Sequence, residues 1–72
     1  MKVVAECNGF LMLVDENVTG LDIDTVCRVY NPHLNVLAPE MKAGSWVNRM
    51  GPWVKPAKNY DAAAIIAKAK RD

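Results

Sequence analysis

The chain is short of the side chains that do chemistry. In 72 residues it has one histidine, His33, one serine, Ser45, and two cysteines, Cys7 and Cys27. Nucleophilic catalysis needs a base held beside the nucleophile. His33 directly follows Pro32, which reads as the end of a strand rather than the placement of a base. A structural zinc site takes about four ligands, and the histidine and cysteine count does not supply them within one chain. Gly9, Gly20, Gly44 and Gly51 match neither a P-loop nor a dinucleotide-binding spacing. Asp22 and Asp24 would share one face of a strand, as paired carboxylates do. With no further ligand beside them they read as a solvated edge. The sequence predicts no catalytic residue, no metal and no cofactor.

Long apolar runs are absent too. Nothing approaches the ~18–20 residues of a bilayer-spanning helix. Met1-Lys2 leads into Val3-Val4-Ala5 and stops at Glu6, too short a run for a signal-peptide core. The expectation is a cytoplasmic protein with no membrane partner. Cys7 and Cys27 then read as buried free thiols rather than a disulfide.

What is present describes one small domain spanning residues 1–72. Hydrophobic residues make up 51% and charged residues 24%, a globular balance. A chain of this size buries only ~60% of its unfolded surface, so an active-site pocket would use up the core it needs.

The net charge is +1, but the halves differ. Residues 1–40 hold Lys2 and Arg28 against Glu6, Asp15, Glu16, Asp22, Asp24 and Glu40, a net −4. Residues 41–72 hold Lys42, Arg49, Lys55, Lys58, Lys68, Lys70 and Arg71 against Asp61 and Asp72, a net +5. Such a chain presents an acidic and a basic face, each steering a different partner.

The strongest local signal is Asn8-Gly9 between Lys2–Cys7 and Phe10–Val14. A two-residue turn of this type joins a hairpin because both positions take positive φ. It sets Cys7 opposite Phe10, Ala5 opposite Met12 and Val3 opposite Val14 on one face. Glu6 opposite Leu11, Val4 opposite Leu13 and Lys2 opposite Asp15 form the other. Leu11 and Leu13 on that second face predict a central strand covered on both sides. Asp15-Glu16-Asn17 and Gly20 read as turns. Leu21–Tyr30 carries both a helical spacing, at Ile23, Val26, Cys27 and Tyr30, and a run of strand formers. The reading leans to a strand over Thr25–Tyr30, closed by Asn31-Pro32. His33–Leu37 reads as a short strand. Residues 39–56 hold three prolines and read as an irregular surface stretch, with a short strand at Trp46-Val47 and a turn at Met50–Trp53. Asp61–Arg71 reads as a helix capped by Asn59, with Ala62, Ile65, Ile66 and Ala69 as its apolar stripe.

The fold class that follows is α+β: a small curved antiparallel sheet of three to five short strands, opening on a hairpin and carrying one C-terminal helix. No family motif ties to named residues.

The segment from Trp46 to Tyr60 interleaves aromatics with cations. Trp and Arg together are the usual make-up of an interface hot spot, which marks Trp46, Arg49, Trp53, Lys55 and Lys58 as the candidate partner-binding residues. Asp15, Glu16, Asp22 and Asp24 form a secondary acidic surface. The function these point to is a non-catalytic protein-binding module, an accessory or inhibitor of the kind phages and mobile elements encode. Its partner would be a larger protein or protein–nucleic acid complex. The same Trp, Arg and Lys residues also suit a single-stranded nucleic-acid binder, and the size suits a structural subunit of a viral particle.

Overall fold

The computed structural model describes residues 1–57 and 59–71, with Arg71 described by its backbone alone. It is an α+β fold, as the sequence predicts, with seven short strands among the described residues rather than three to five. Strands β1 (Lys2–Cys7) and β2 (Phe10–Val14) form the hairpin, and β3 (Val26–Asn31) continues it as a meander. The two turn residues, Asn8 at φ 51° and Gly9 at φ 88°, take the positive values this hairpin requires. Short strands complete the sheet: β4 (Val36–Leu37), β5 (Met41–Lys42), β6 (Lys55–Pro56) and β7 (Lys70–Arg71). The order across the sheet is β6-β1-β2-β3-β4-β7, with β5 paired to the first half of β3. All pairs are antiparallel except β4 with β7.

The hairpin register agrees with the sequence for Cys7 with Phe10, Glu6 with Leu11 and Ala5 with Met12. Beyond Ala5 it slips: Val3 pairs with Leu13 and Lys2 with Val14, so Val4 is an extra, bulged residue. One extra residue turns every following side chain to the other face. Ala5 and Cys7 therefore pack with Met12 and Val14, whereas Val3 joins Leu11 and Leu13.

Both faces of β2 are covered, and a helix lies on each. On one face Val3, Leu11, Leu13, Tyr30 and Leu37 pack with Ala62 and Ile65 of α2 (Ala62–Lys68). On the other, Ala5, Cys7, Met12, Val14, Cys27 and Val29 pack with Ala43 and Trp46 of α1 (Ala43–Met50). Only the C-terminal helix was expected. Residues 39–56 are not the irregular stretch of the sequence reading, since β5, α1, a 3-10 turn and β6 fall within them. Trp46-Val47 is helical rather than a strand.

Other local readings shift by a few residues. Residues 32–35 form a turn, leaving only Val36–Leu37 as β4. α2 is capped by Asp61, whose Oδ1 accepts from the Ala64 N–H at 3.1 Å; Asn59, at φ 69°, is not the cap. α2 also stops at Lys68, short of Arg71. Asn35 explains why. It adopts φ 53°, its Nδ2 donates to the Lys68 carbonyl at 2.9 Å, and its carbonyl accepts from the Lys70 N–H at 2.8 Å. Those bonds pull residues 70–71 out of the helix and onto β4. The Tyr30 hydroxyl, 2.6 Å from Asn35 Oδ1, ties the same turn to the sheet. No helix among the described residues is long and apolar enough to cross a membrane.

Candidate interaction surface

α1 is the element that positions the exposed aromatic. Ala43, Trp46, Val47 and Met50 recur at i, i+3, i+4 and i+7; Ala43, Trp46 and Met50 pack toward the sheet, and Val47 stands exposed at the edge of the stripe. The helix has no side-chain cap at Lys42. Its first N–H groups, orphaned in any helix, donate to main-chain carbonyls of the loop before β3: Ala43 to Thr25 at 2.8 Å and Gly44 to Ile23 at 3.0 Å. At its far end the Gly51 N–H donates to the Val47 carbonyl. A 3-10 turn, Gly51–Trp53, follows at once, with Pro52 in its first turn and the Val54 N–H closing on Gly51.

This arrangement separates the two tryptophans. Trp46 is 3% exposed and belongs to the core beneath α1, so it is not a surface contact. Its indole N–H finds no acceptor among the described residues. Trp53 is 67% exposed. Its six-membered ring lies over the bare Cα of Gly51, where a Cβ would stand 3.7 Å from the ring carbons.

Arg49 is exposed in the last turn of α1, immediately before the 3-10 turn. Lys55 is exposed on β6, paired with Glu6 of β1. Lys58 lies outside the described residues. Of the sequence-predicted contact set, Arg49, Trp53 and Lys55 share the run from the end of α1 to β6, and Trp46 does not join them.

The four acids of the secondary surface are all exposed. Asp15 Oδ1 accepts from the Asn17 N–H at 2.9 Å, and Glu16 lies 3.5 Å from the amino terminus. Asp22 Oδ1 accepts from the Asp24 N–H at 2.8 Å, and Asp24 pairs with Lys42 at 3.3 Å. Exposed pairs of this kind contribute little, about 0–1 kcal/mol.

The remaining candidates are dispersed. Cys7 and Cys27 are free and buried, and burial pushes the Cys27 thiol above its ordinary value. His33 is exposed in the turn after β3 and packs its ring on Phe10, with centroids 5.7 Å apart. The Tyr60 hydroxyl donates to Glu6, and that bond, more than burial or the carboxylate's charge, raises the phenol. Among the described residues no group of three or more His, Cys, Asp or Glu side chains stands close enough to hold a metal ion.

No family model, curated protein or solved structure matches this chain. Its surface is therefore read from its own chemistry.

One exposed feature escaped the sequence reading. Leu21 and Ile23 stand 48% and 72% exposed beside Val47 of α1, which is 40% exposed. Ile23 falls outside the strand read over Thr25–Tyr30, and the alternative helical spacing sets it on one face with Val26, Cys27 and Tyr30. The spacing of Ala43, Trp46, Val47 and Met50 was the signal that would have found α1 and the groove along its flank.

Proposed function

We propose that this protein is a non-catalytic binding module, an accessory or inhibitory chain that docks on a larger protein assembly in the cytoplasm through Arg49, Trp53 and Lys55. The exposure of Trp53 carries this reading. An indole is among the most expensive side chains to leave in water, since a buried aromatic removes 150–250 Å² from solvent. The domain has room to bury Trp46 and leaves Trp53 outside. Trp53 stands on a 3-10 turn that contains Pro52, so the backbone that carries it is ordered before a partner arrives. Arg49 before it and Lys55 after it supply the cationic rim, which favours a partner that sets acids around an apolar pocket.

The test compares Trp53→Ala and Arg49→Ala with the parent chain in pull-downs from the native host, with and without nuclease. Both side chains are exposed, so the fold should survive, which circular dichroism checks. A protein partner should withstand high salt and nuclease and fall away with Trp53→Ala. The same indole and cations would also suit single-stranded nucleic acid. In that case log K should fall with log [salt] at about −0.7 per phosphate contacted, and nuclease should remove the bound material. Full retention of the partner by both folded variants would refute this surface.

A further inference from the structure

We infer that the groove between the 21–25 loop and α1 is a second docking site, and that its occupant is a basic amphipathic segment of a partner protein. The groove holds about 210 Å³ and is lined by Leu21, Asp22, Ile23, Gly44, Val47 and Asn48, with Ala43 at its floor. Small-molecule sites run to ~300–1,000 Å³. A groove of this size and apolar lining takes one or two anchoring side chains instead.

Its walls are held in place. The Thr25 N–H donates to the Asp22 carbonyl at 3.2 Å, and the Thr25 hydroxyl and Asp22 carboxylate bond each other and the neighbouring main chain. The Thr25 and Ile23 carbonyls in turn cap α1. Ile23 is therefore held outward by an ordered turn, and the apolar side chains it shares with Leu21 and Val47 form one continuous strip.

Charge selects the occupant. Asp22 is the charged residue among those that line the groove. Its neighbour Asp24 is exposed too and pairs with the exposed Lys42 just before α1. A second copy docked symmetrically would set these acids against their own images, which like charges oppose. A segment with an apolar face flanked by Lys or Arg satisfies both the strip and its rim. This surface is separate from that of Trp53. With 3.6 residues per turn, Gly44 and Asn48 lie on one flank of the buried stripe of α1, and Ser45 and Arg49 on the other.

The test uses the full chain, isotope-labelled, with two synthetic amphipathic peptides sharing a leucine face. One carries lysine on its polar face, the other glutamate. The lysine peptide should shift the amides of Ile23, Gly44 and Val47. Ile23→Ser and Val47→Ser should each weaken it about tenfold, as loss of an anchor does. Asp22→Asn should weaken it and flatten its salt dependence, and Trp53→Ala should leave it unchanged. Ile23 is the more exposed of the two anchors, so at least that variant should keep the parent spectrum elsewhere. Equal binding of the glutamate peptide, shifts confined to other amides, or undiminished binding to both serine variants would overturn the proposal. Concentration-dependent shifts of these amides without peptide would overturn it too, by making a second copy the occupant. Failure at Trp53 leaves this result untouched, and the reverse holds.

Discussion

Replacing Gly44 by alanine should destabilise the protein, although the position lies in a helix. Helix propensity alone predicts a gain of about 1 kcal/mol for this exchange. The packing predicts otherwise. A Cβ at Gly44 would stand 2.9 Å from Ile23 Cβ, 3.1 Å from the Ile23 carbonyl oxygen and 3.2 Å from Ile23 Cα. None of these atoms can swing aside by a rotamer change, so the loop must move off the helix. Overpacking of this kind costs about 1–3 kcal/mol. The movement also stretches the 3.0 Å bond from the Gly44 N–H to the Ile23 carbonyl, worth about 1 kcal/mol net. Set against the propensity gain, the balance is a loss of about 1–3 kcal/mol. In a domain of this length each kcal/mol moves the melting temperature by about 4–8 °C, within easy reach of thermal or urea denaturation. Gly20→Ala is the internal control. Nothing lies within 4 Å of its would-be Cβ, and its φ is outside the left-handed region. It should gain about 0.4–1 kcal/mol through the unfolded state. If Gly44→Ala proves as stable as the parent, the clamp between loop and helix is not the close contact described, and the groove loses its rigid wall.

Three further outcomes test the core and its edges. Ile65, 7% exposed, anchors α2, and Ile65→Ala should cost about 2–4 kcal/mol in urea unfolding, most of what so small a domain has. Both thiols are buried, and the raised Cys27 value keeps its proton on, so labelling by a thiol reagent should be slow in the native state and accelerate as denaturant opens the fold; fast native labelling of both would contradict the packing. Tyr60 carries a phenol raised chiefly by its bond to Glu6. Because the folded value lies above the unfolded one, the contact should persist through neutral pH and vanish as alkaline pH passes the folded value. Phenolate absorbance in Glu6→Gln should rise at lower pH than in the parent, and identical curves would remove the bond from solution.

What could be read in advance follows from the range of the interactions. Asn8-Gly9 encodes its turn in two adjacent backbones, and the strand pairing beside it came out as expected up to Ala5. The bulge at Val4 did not, because valine fits an alternating strand on either face, and only the demand for Val3 beneath α2 favours the slip. α1 was misread for a similar reason. Gly44, Ser45, Trp46 and Val47 are indifferent helix formers, and Lys42 is no cap. Its local signal is the spacing of Ala43, Trp46, Val47 and Met50 alone, and the carbonyls that accept from its first N–H groups belong to a loop some twenty residues earlier. The candidate surface divided along the same line. Arg49 and Lys55 are exposed, as charge alone suggests, whereas composition could not tell the buried Trp46 from the exposed Trp53.

The placement of β6 and β7 has a consequence for how the protein is made. β6 closes one edge of the sheet beside β1, β7 closes the other beside β4, and both come from residues after Val54. A ribosome therefore delivers the first four strands before either of their borders has a neighbour. Until residues 55–71 emerge, β1 offers unpaired main-chain groups on a valine-rich strand, the template on which nascent chains pair with one another. Strands β6 and β7 end that exposure and prevent its return. Pro56 has no N–H to offer a further strand, and Lys70 meets the opposite border with charge. A chain stalled before Lys55 should aggregate more readily than one that carries both edge strands.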